Sequence, residues 1–462
     1  MHSALPFICA SELLAKGRPQ DSVVCIDGKR AFTWGDFARR AGGIARALAG
    51  RSERRWLIRT EHPLDFIAAL LAVLHSGGRA VIPPGPQPAM IEQLRPAYDA
   101  ILGEGAPATL DLRDIAASEH RFATFDAHGA MVDLFTSGSS GEPKRVEKSL
   151  AQLETETAAL ESCCGAAIGP ATMVATVPHH HIYGMLFRLL WPLASGRRFD
   201  AALCVDPALL LETLERVRES PRGADHAVLV SSPAHLTRLP ELISLEALKP
   251  RVRRIFSSGG PLPASTAVEY QRRFGAAPTE VYGSTESGGV AWREQDGTDE
   301  GALWTPFAGL TFRLDPQGAL CLRSPYLADE AWLTMGDAAE LLPDGRFRLK
   351  GRLDRIVKIE GKRISLPELE HALRQHPWVL DAAVVPLVGA KEALGAVVVL
   401  REGSRLESGR EPLVGALREF LLERFERVLV PRQWRFPERL PSDDRGKLTA
   451  AGLGAMFNAP AA

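Results

Sequence analysis

The sequence predicts an α/β protein, with a large N-terminal domain of parallel β-α-β units followed by a small C-terminal α+β domain. Three observations carry that reading. Between about residues 130 and 283, short apolar runs alternate with helical patterns. Beyond about residue 310, hairpin signals replace the alternation. The 462 residues also exceed what one hydrophobic core usually supports, so two or more domains are expected.

Taken in order, Met131–Phe135 and Met173–Val177 read as strands. Pro207–Glu219 reads as a helix, with Leu210, Leu214 and Val217 at helical spacing. His226–Ser231 and Arg254–Ser257 follow as short buried strands, and Ala264–Phe274 as a helix closed by Gly275. Such alternation builds parallel units whose ligands sit beyond the carboxyl ends of the strands. Next, Pro343-Asp344-Gly345 turns between Ala338–Leu342 and Arg346–Lys350, and a second hairpin turns at Gly361. A helix at Leu366–Gln375, strands at Ala382–Val388 and Ala396–Leu400, and a charged amphipathic helix at Leu413–Glu426 complete a unit of about 100 residues. The junction is placed near Gly351–Asp354, giving domains of residues 1–353 and 354–462.

Composition narrows the function classes. Hydrophobic residues at 45% and charged residues at 24% are those of a soluble globular protein. A net charge of −1 argues against broad electrostatic binding of nucleic acid or an anionic membrane. The six cysteines form no C-x-x-C pair, so they read as free thiols in a reducing cytoplasm. The N-terminus lacks the pattern of a signal peptide. Phe66–Leu74 and Ile182–Leu193 fall short of about 18 apolar residues, so no membrane span is expected. A cytoplasmic enzyme is the expectation.

The most informative segment is Leu134-Phe135-Thr136-Ser137-Gly138-Ser139-Ser140-Gly141-Glu142-Pro143-Lys144. Glycines let the backbone approach a ligand closely, and hydroxyls with exposed N–H groups suit phosphate oxygens. Lys144 adds a point charge. A Walker A loop requires glycine directly before its lysine, and Pro143 holds that position here. A Ser/Gly-rich turn alone is as often a plain surface loop; the strand before it and the lysine after it favour phosphate binding.

A second cluster, Tyr282-Gly283-Ser284-Thr285-Glu286, ends another strand candidate. Tyr282 offers a ring for a base, Thr285 a hydroxyl for phosphate and Glu286 a carboxylate for Mg²⁺. Isolated, it would be a polar turn. It is preceded, however, by a second backbone-exposing turn, Ser257-Ser258-Gly259-Gly260-Pro261-Leu262.

These segments resemble the adenylate-forming superfamily of acyl-CoA synthetases, peptide-synthetase adenylation domains and luciferase. Thr136–Lys144 resembles its T-S-G-[ST]-[ST]-G-x-P-K motif and Tyr282–Glu286 its Y-G-x-T-E motif. In the family's order follow Pro178–Gly184 (P-x-x-H-x-x-G, with His181 at the matching histidine), Gly336-Asp337, Gly351–Asp354 (G-R-x-D), Lys358, Gly361, Glu368 and a terminal Gly446-Lys447. Two departures stand out. Arg145 replaces a glycine, stiffening the loop or adding charge near the phosphates. Glu280 replaces an asparagine near the adenine, where a carboxylate still accepts from an exocyclic amine. The N-terminal region is also shorter than usual, which bears on the acyl pocket or dimer contacts.

The resemblance implies activation of a carboxylic acid by ATP and Mg²⁺ as acyl-AMP, then transfer to a phosphopantetheine thiol of CoA or of a separate acyl carrier protein. It implies that Lys447 bridges the carboxylate and α-phosphate. Thr136, Ser137, the loop Gly138–Gly141 and Lys144 would hold the outgoing phosphates, with Thr136 and Glu286 at the metal. Ser258, Gly259, Gly260 and Tyr282 through Thr285 would line the nucleotide site. Asp337 would hold the ribose, Arg352 the ribose or phosphate, and His181 the acyl pocket. Asp354 would be the hinge of a mobile C-terminal domain, and Gly361 would flank the thiol arm. Adjacent histidines 179–181 cannot all face one ion, so a metal site there is disfavoured. Rival readings are a ligase with a non-thiol acceptor, or one that oxidises the adenylate, and a non-catalytic nucleotide-binding relative. Retention of Lys144, Glu286, Asp337, Arg352 and Lys447 counts against the last. The identity of the acid (fatty, aromatic or amino) and the oligomeric state are not legible.

Overall fold

A computed structural model describes residues 5–137, 143–219, 226–359, 362–387, 393–401, 410–441 and 450–458. By packing, the chain divides into two units: Met1–Thr311 with Leu322–Leu333, and Phe312–Cys321 with Thr334–Ala462.

The first unit is α/β. A nine-stranded sheet runs in the order Thr305–Pro306, Gly288–Glu294, Thr279–Ser284, Val252–Ser257, Ala227–Ser231, Thr172–Ala175, Arg198–Leu203, Val23–Asp27, Arg30–Thr33. The strands from Thr279–Ser284 through Val23–Asp27 pair in parallel, and the strands flanking them are antiparallel. A six-stranded sheet follows the order Leu110–Asp111, Ala100–Gly103, Arg55–Arg59, Arg79–Ile82, Met131–Ser137, Pro143–Ser149. It too is parallel until its last, antiparallel pair. The expected β-α-β region is therefore present, with helices at Pro207–Glu219 and Ala264–Arg273. The second sheet begins well before residue 130, at Arg55–Arg59.

One core joins the two sheets. Val24, Ile58, Val132, Leu134, Met173, Val228, Phe256 and Val281 belong to it. So does helix Pro63–His75, where Leu64 through Leu74 are buried all round apart from Asp65. A helix apolar on every side must be covered on every side. At 13 residues it is a core element, and among the described residues no helix is long and apolar enough to cross a membrane. Helix Trp34–Leu48 packs against it and starts on a capping box. The Thr33 hydroxyl accepts from the Asp36 amide at 3.2 Å, and the Asp36 carboxylate accepts from the Thr33 amide at 2.9 Å.

Most of a four-stranded sheet lies in the second unit, in the order Thr311–Leu314, Ala319–Arg323, Leu333–Leu341, Phe347–Arg352, its last two strands antiparallel. The unit also holds the hairpin Ile356–Ile359/Lys362–Ser365, helix Leu366–Arg374, paired strands Val379–Leu387 and Ala393–Leu400, and helix Arg410–Leu422. The turn at Gly361 lies outside the described residues. The predicted junction near Gly351–Asp354 falls inside this unit. There the strand ending at Arg352 hydrogen-bonds within its own sheet, and Gly351 lies against Pro367 of the following helix.

Thr33→Ala should lower stability by about 1 kcal/mol, with Thr33→Ser close to the parent. Urea midpoints followed by tryptophan fluorescence check it; equal midpoints for all three proteins would contradict the capping role.

Candidate active site

The predicted groups of the first unit leave the carboxyl ends of parallel strands, where α/β sheets bind ligands. Thr136 and Ser137 end the strand Met131–Ser137, which pairs with Pro143–Ser149 so that Thr136 faces Lys144 and Ser137 faces Pro143. Gly138, Ser139, Ser140 and Gly141 form the connection and lie outside the described residues. The Ser258–Leu262 turn follows Val252–Ser257. Tyr282–Ser284 ends its strand, and Thr285 and Glu286 occupy the turn into Gly288–Glu294.

That turn is built tightly. The Ser284 amide donates to the Ser287 hydroxyl at 2.9 Å, and the Ser287 amide donates back to the Ser284 hydroxyl at 3.1 Å. Gly283 is required by space, since a Cβ there would sit 2.2 Å from the Gly288 carbonyl oxygen. The Tyr282 ring lies 5.5 Å from Trp304.

Two loops 142 residues apart in sequence meet at one ion pair: Lys144 Nζ is 2.6 Å from Glu286 Oε1. Burial raises the Glu286 carboxyl, but the hydrogen bond and charge of Lys144 outweigh it and leave the group below the ordinary carboxylate range. Glu286 is thus held ionised beside a cation. A carboxylate with hydroxyl neighbours is the donor set Mg²⁺ takes when substrate phosphates complete its shell. Among the described residues, no three His, Cys, Asp or Glu side chains converge on one point.

Both departures from the family pattern are occupied internally. Arg145 points to the opposite face of its strand from Lys144, pairing with buried Asp133 at 2.9 Å and Glu147 at 3.1 Å. Arg79 holds the same Asp133 at 2.8 Å. Arg145 therefore braces the strand behind the loop. Glu280 is 2% exposed and accepts from Arg293 at 2.9 and 3.1 Å, from the Leu262 amide at 3.1 Å and from Gln295 at 2.5 Å. The expectation that it accepts from an adenine amine is corrected: these four donors fill its oxygens. Its role is to tie the Ser258–Leu262 turn to the neighbouring strand, as does the Ser258 hydroxyl donating to the Val281 carbonyl at 2.8 Å.

Of the three histidines, His179 is buried, its ring 4.6 Å from Phe66 and its Nε2 3.1 Å from the Thr60 carbonyl oxygen. Burial first, then the charge of Arg188, pushes it down to about 3. It is a neutral packing residue. His181 is half-buried at the start of helix Ile182–Gly184, with its ring 4.5 Å from His180.

The remaining predicted residues belong to the second unit. Asp337 and Arg352 face one another as an antiparallel strand pair. Gly336 leaves room for the arginine, since a Cβ there would lie 2.7 Å from its guanidinium. Gly361, Lys447 and the Asp354 side chain lie outside the described residues.

Residues 97–330 match the AMP-binding enzyme family, and residues 368–447 match the C-terminal domain of AMP-binding enzymes. The chain belongs to this adenylate-forming family. It is 27% identical over 360 residues to a luciferin 4-monooxygenase of Nipponoluciola cruciata, covering 71% of this chain and 63% of that protein. It is 26% identical over 501 residues to the sulfoacetate–CoA ligase of Cupriavidus necator, covering 91% of this chain and 92% of that protein. Its fold matches ATP-bound MatB from Rhodopseudomonas palustris with a TM-score of 0.80 at 19% identity, over 97% of this chain and 98% of that one. This AMP-binding enzyme thus matches both the AMP-binding and the C-terminal parts of its family, and its Lys144 strand and Tyr-Gly-Ser-Thr-Glu turn meet within one unit.

The state of His179 sets a pH dependence. Between about pH 3 and the ordinary histidine value near 6.5, the unfolded chain holds a proton there that the folded one lacks, so stability falls as pH falls. The slope reaches about 1.4 kcal/mol per pH unit below 6. His179→Asn should flatten that part of a pH–stability curve measured by urea unfolding. An unchanged slope would contradict the buried neutral assignment.

Proposed function

We propose that this protein is an AMP-forming acid–thiol ligase. It activates a carboxylic acid with ATP as acyl-AMP, releases pyrophosphate, and hands the acyl group to a phosphopantetheine thiol of CoA or of a separate acyl carrier protein. The observation that carries the reading is the Lys144–Glu286 ion pair, which joins the phosphate-loop hairpin to the Tyr-Gly-Ser-Thr-Glu turn.

The first chemical step drives a carboxylate onto a phosphate, so neutralising two approaching anions dominates its barrier. Lys144, with Thr136, Ser137 and the backbone of Gly138–Gly141, holds the β- and γ-phosphates. Glu286 and Thr136 receive the Mg²⁺ that accompanies ATP; the metal, when bound, neutralises phosphate charge and orients the leaving pyrophosphate. Once phosphates arrive, Lys144 exchanges a carboxylate for phosphate oxygens, both partners being accessible enough to rearrange. Tyr282 and the backbone at Ser258–Gly260 and Gly283–Thr285 seat the nucleoside, and Asp337 with Arg352 holds the ribose. Lys447 bridges the carboxylate and α-phosphate, and His181 borders the acyl group. In the second half-reaction the C-terminal domain, residues 354–462, turns about Asp354 and brings Gly361 beside the thiol arm.

A thiol acceptor is supported by the sulfoacetate–CoA ligase, which aligns over nearly its whole length. The six free cysteines fit a cytoplasmic setting. The test supplies enzyme, ATP, Mg²⁺ and an acid panel with either CoA or a phosphopantetheinylated carrier, and reads thioester by mass. Thioester on one acceptor supports the proposal; AMP formation with only free acid released would overturn the thiol step.

Lys447→Ala should lose acyl-AMP formation by about 10²–10³-fold, the usual effect of removing one pre-organised charge. Supplied acyl-AMP should still be converted to thioester by the variant. Equal losses in both half-reactions, measured separately, would contradict the division of roles.

A further inference from the structure

A lysine stands buried behind the Glu286 turn, where its charge is costly to keep. Lys148 lies four residues after Lys144 on the strand Pro143–Ser149, hence on the same face and about 13 Å along it. Its side chain is 3% exposed, yet its ammonium donates to the Glu286 carbonyl at 2.7 Å and to the Tyr326 carbonyl at 2.8 Å. One strand thus grips one residue twice, Lys144 at the carboxylate and Lys148 at the backbone.

A second buried group completes the arrangement. Glu156, 5% exposed on helix Leu150–Leu160, accepts from the Gly289 amide at 2.7 Å. Lys148 and Glu156 therefore take opposite polar groups of the same turn, the Glu286 carbonyl and the Gly289 amide, on either side of Ser287 and Gly288. Burial pushes the Lys148 ammonium down and the Glu156 carboxyl up, and each group's charge opposes the shift of the other. An isolated buried charge would be replaced at a gain by an apolar side chain; a complementary pair spent on backbone groups fixes a shape.

We propose that Lys148 and Glu156 are positioning residues, which lock the Ser284–Gly289 turn so that the Glu286 carboxylate is aimed to receive the metal of a metal–nucleotide substrate. The inference rests on the reading of Glu286 as the metal-binding carboxylate. It makes the grip on Glu286 two-layered: an exposed, exchangeable contact through Lys144 and a permanent one through Lys148.

The test is calorimetric titration of the full-length protein with ATP, once in Mg²⁺ and once in EDTA, alongside thermal unfolding. Lys148→Met should weaken ATP binding in Mg²⁺ by about 10–100-fold, as loss of an outer-shell support does, while binding in EDTA stays near the parent value. Lys148→Arg should recover part of the Mg²⁺ response. Glu156→Gln, which keeps an acceptor for Gly289 but loses the charge, should shift binding the same way by less, and it decides the matter if Lys148→Met does not fold. Equal weakening with and without Mg²⁺, or an unchanged Mg²⁺ response in a folded variant, would overturn the proposal. A parent protein that binds ATP no better in Mg²⁺ than in EDTA would instead tell against the metal role of Glu286.

Discussion

The candidate site is organised around one carboxylate, held ionised at the place where two sheets meet. Glu286 sits in a hairpin turn of the nine-stranded sheet, and the two lysines that hold it come from the edge strand of the six-stranded sheet. The contacts that shape the site are therefore also contacts between the sheets of the first unit. The exposed Lys144 contact is worth no more than about 1 kcal/mol to stability, so its significance is positional. The buried Lys148 contact is the durable one, because a desolvated ammonium cannot let go of its carbonyl partners without a large penalty.

From that constraint the surrounding sequence becomes intelligible. Small residues crowd the Tyr282–Gly289 segment because the turn closes on itself, with Gly283 against the Gly288 carbonyl. Glu280, one strand residue before Val281, is consumed in holding the preceding Ser258–Leu262 turn against the same strand. Arg145 is consumed in bracing Asp133, so each unusual residue stabilises the scaffold beneath a loop. The Ser258–Leu262 and Ser284–Ser287 turns are thus each held by hydrogen bonds of their own or from the neighbouring strand.

Much of this was legible in the chain. Strands running into Ser/Gly-rich turns pointed to the Met131–Ser137 and Thr279–Ser284 strand ends, both of which the structure contains. Lys144 and Glu286 could be named as charges, but their pairing across 142 residues could not, since it is created by the packing of two sheets. Lys148 was illegible for a different reason: within Arg145-Val146-Glu147-Lys148 it reads as one more solvated charge, and only its burial separates it from Glu147. The six-stranded sheet escaped because Arg55–Arg59 and Arg79–Ile82 are short and begin with arginine, masking the apolar run.

The account stands on one claim, that carboxylate activation by nucleotide transfer occurs at the Lys144–Glu286 site. The most direct measurement is acid-dependent exchange of labelled pyrophosphate into ATP, run in Mg²⁺ across aromatic, fatty and amino acids, with Glu286→Gln beside the parent. The account predicts exchange with at least one acid class and a Glu286→Gln rate lower by about 10²-fold or more. Exchange at the parental rate in Glu286→Gln, or label entering ATP at the same rate with no acid present, would contradict it.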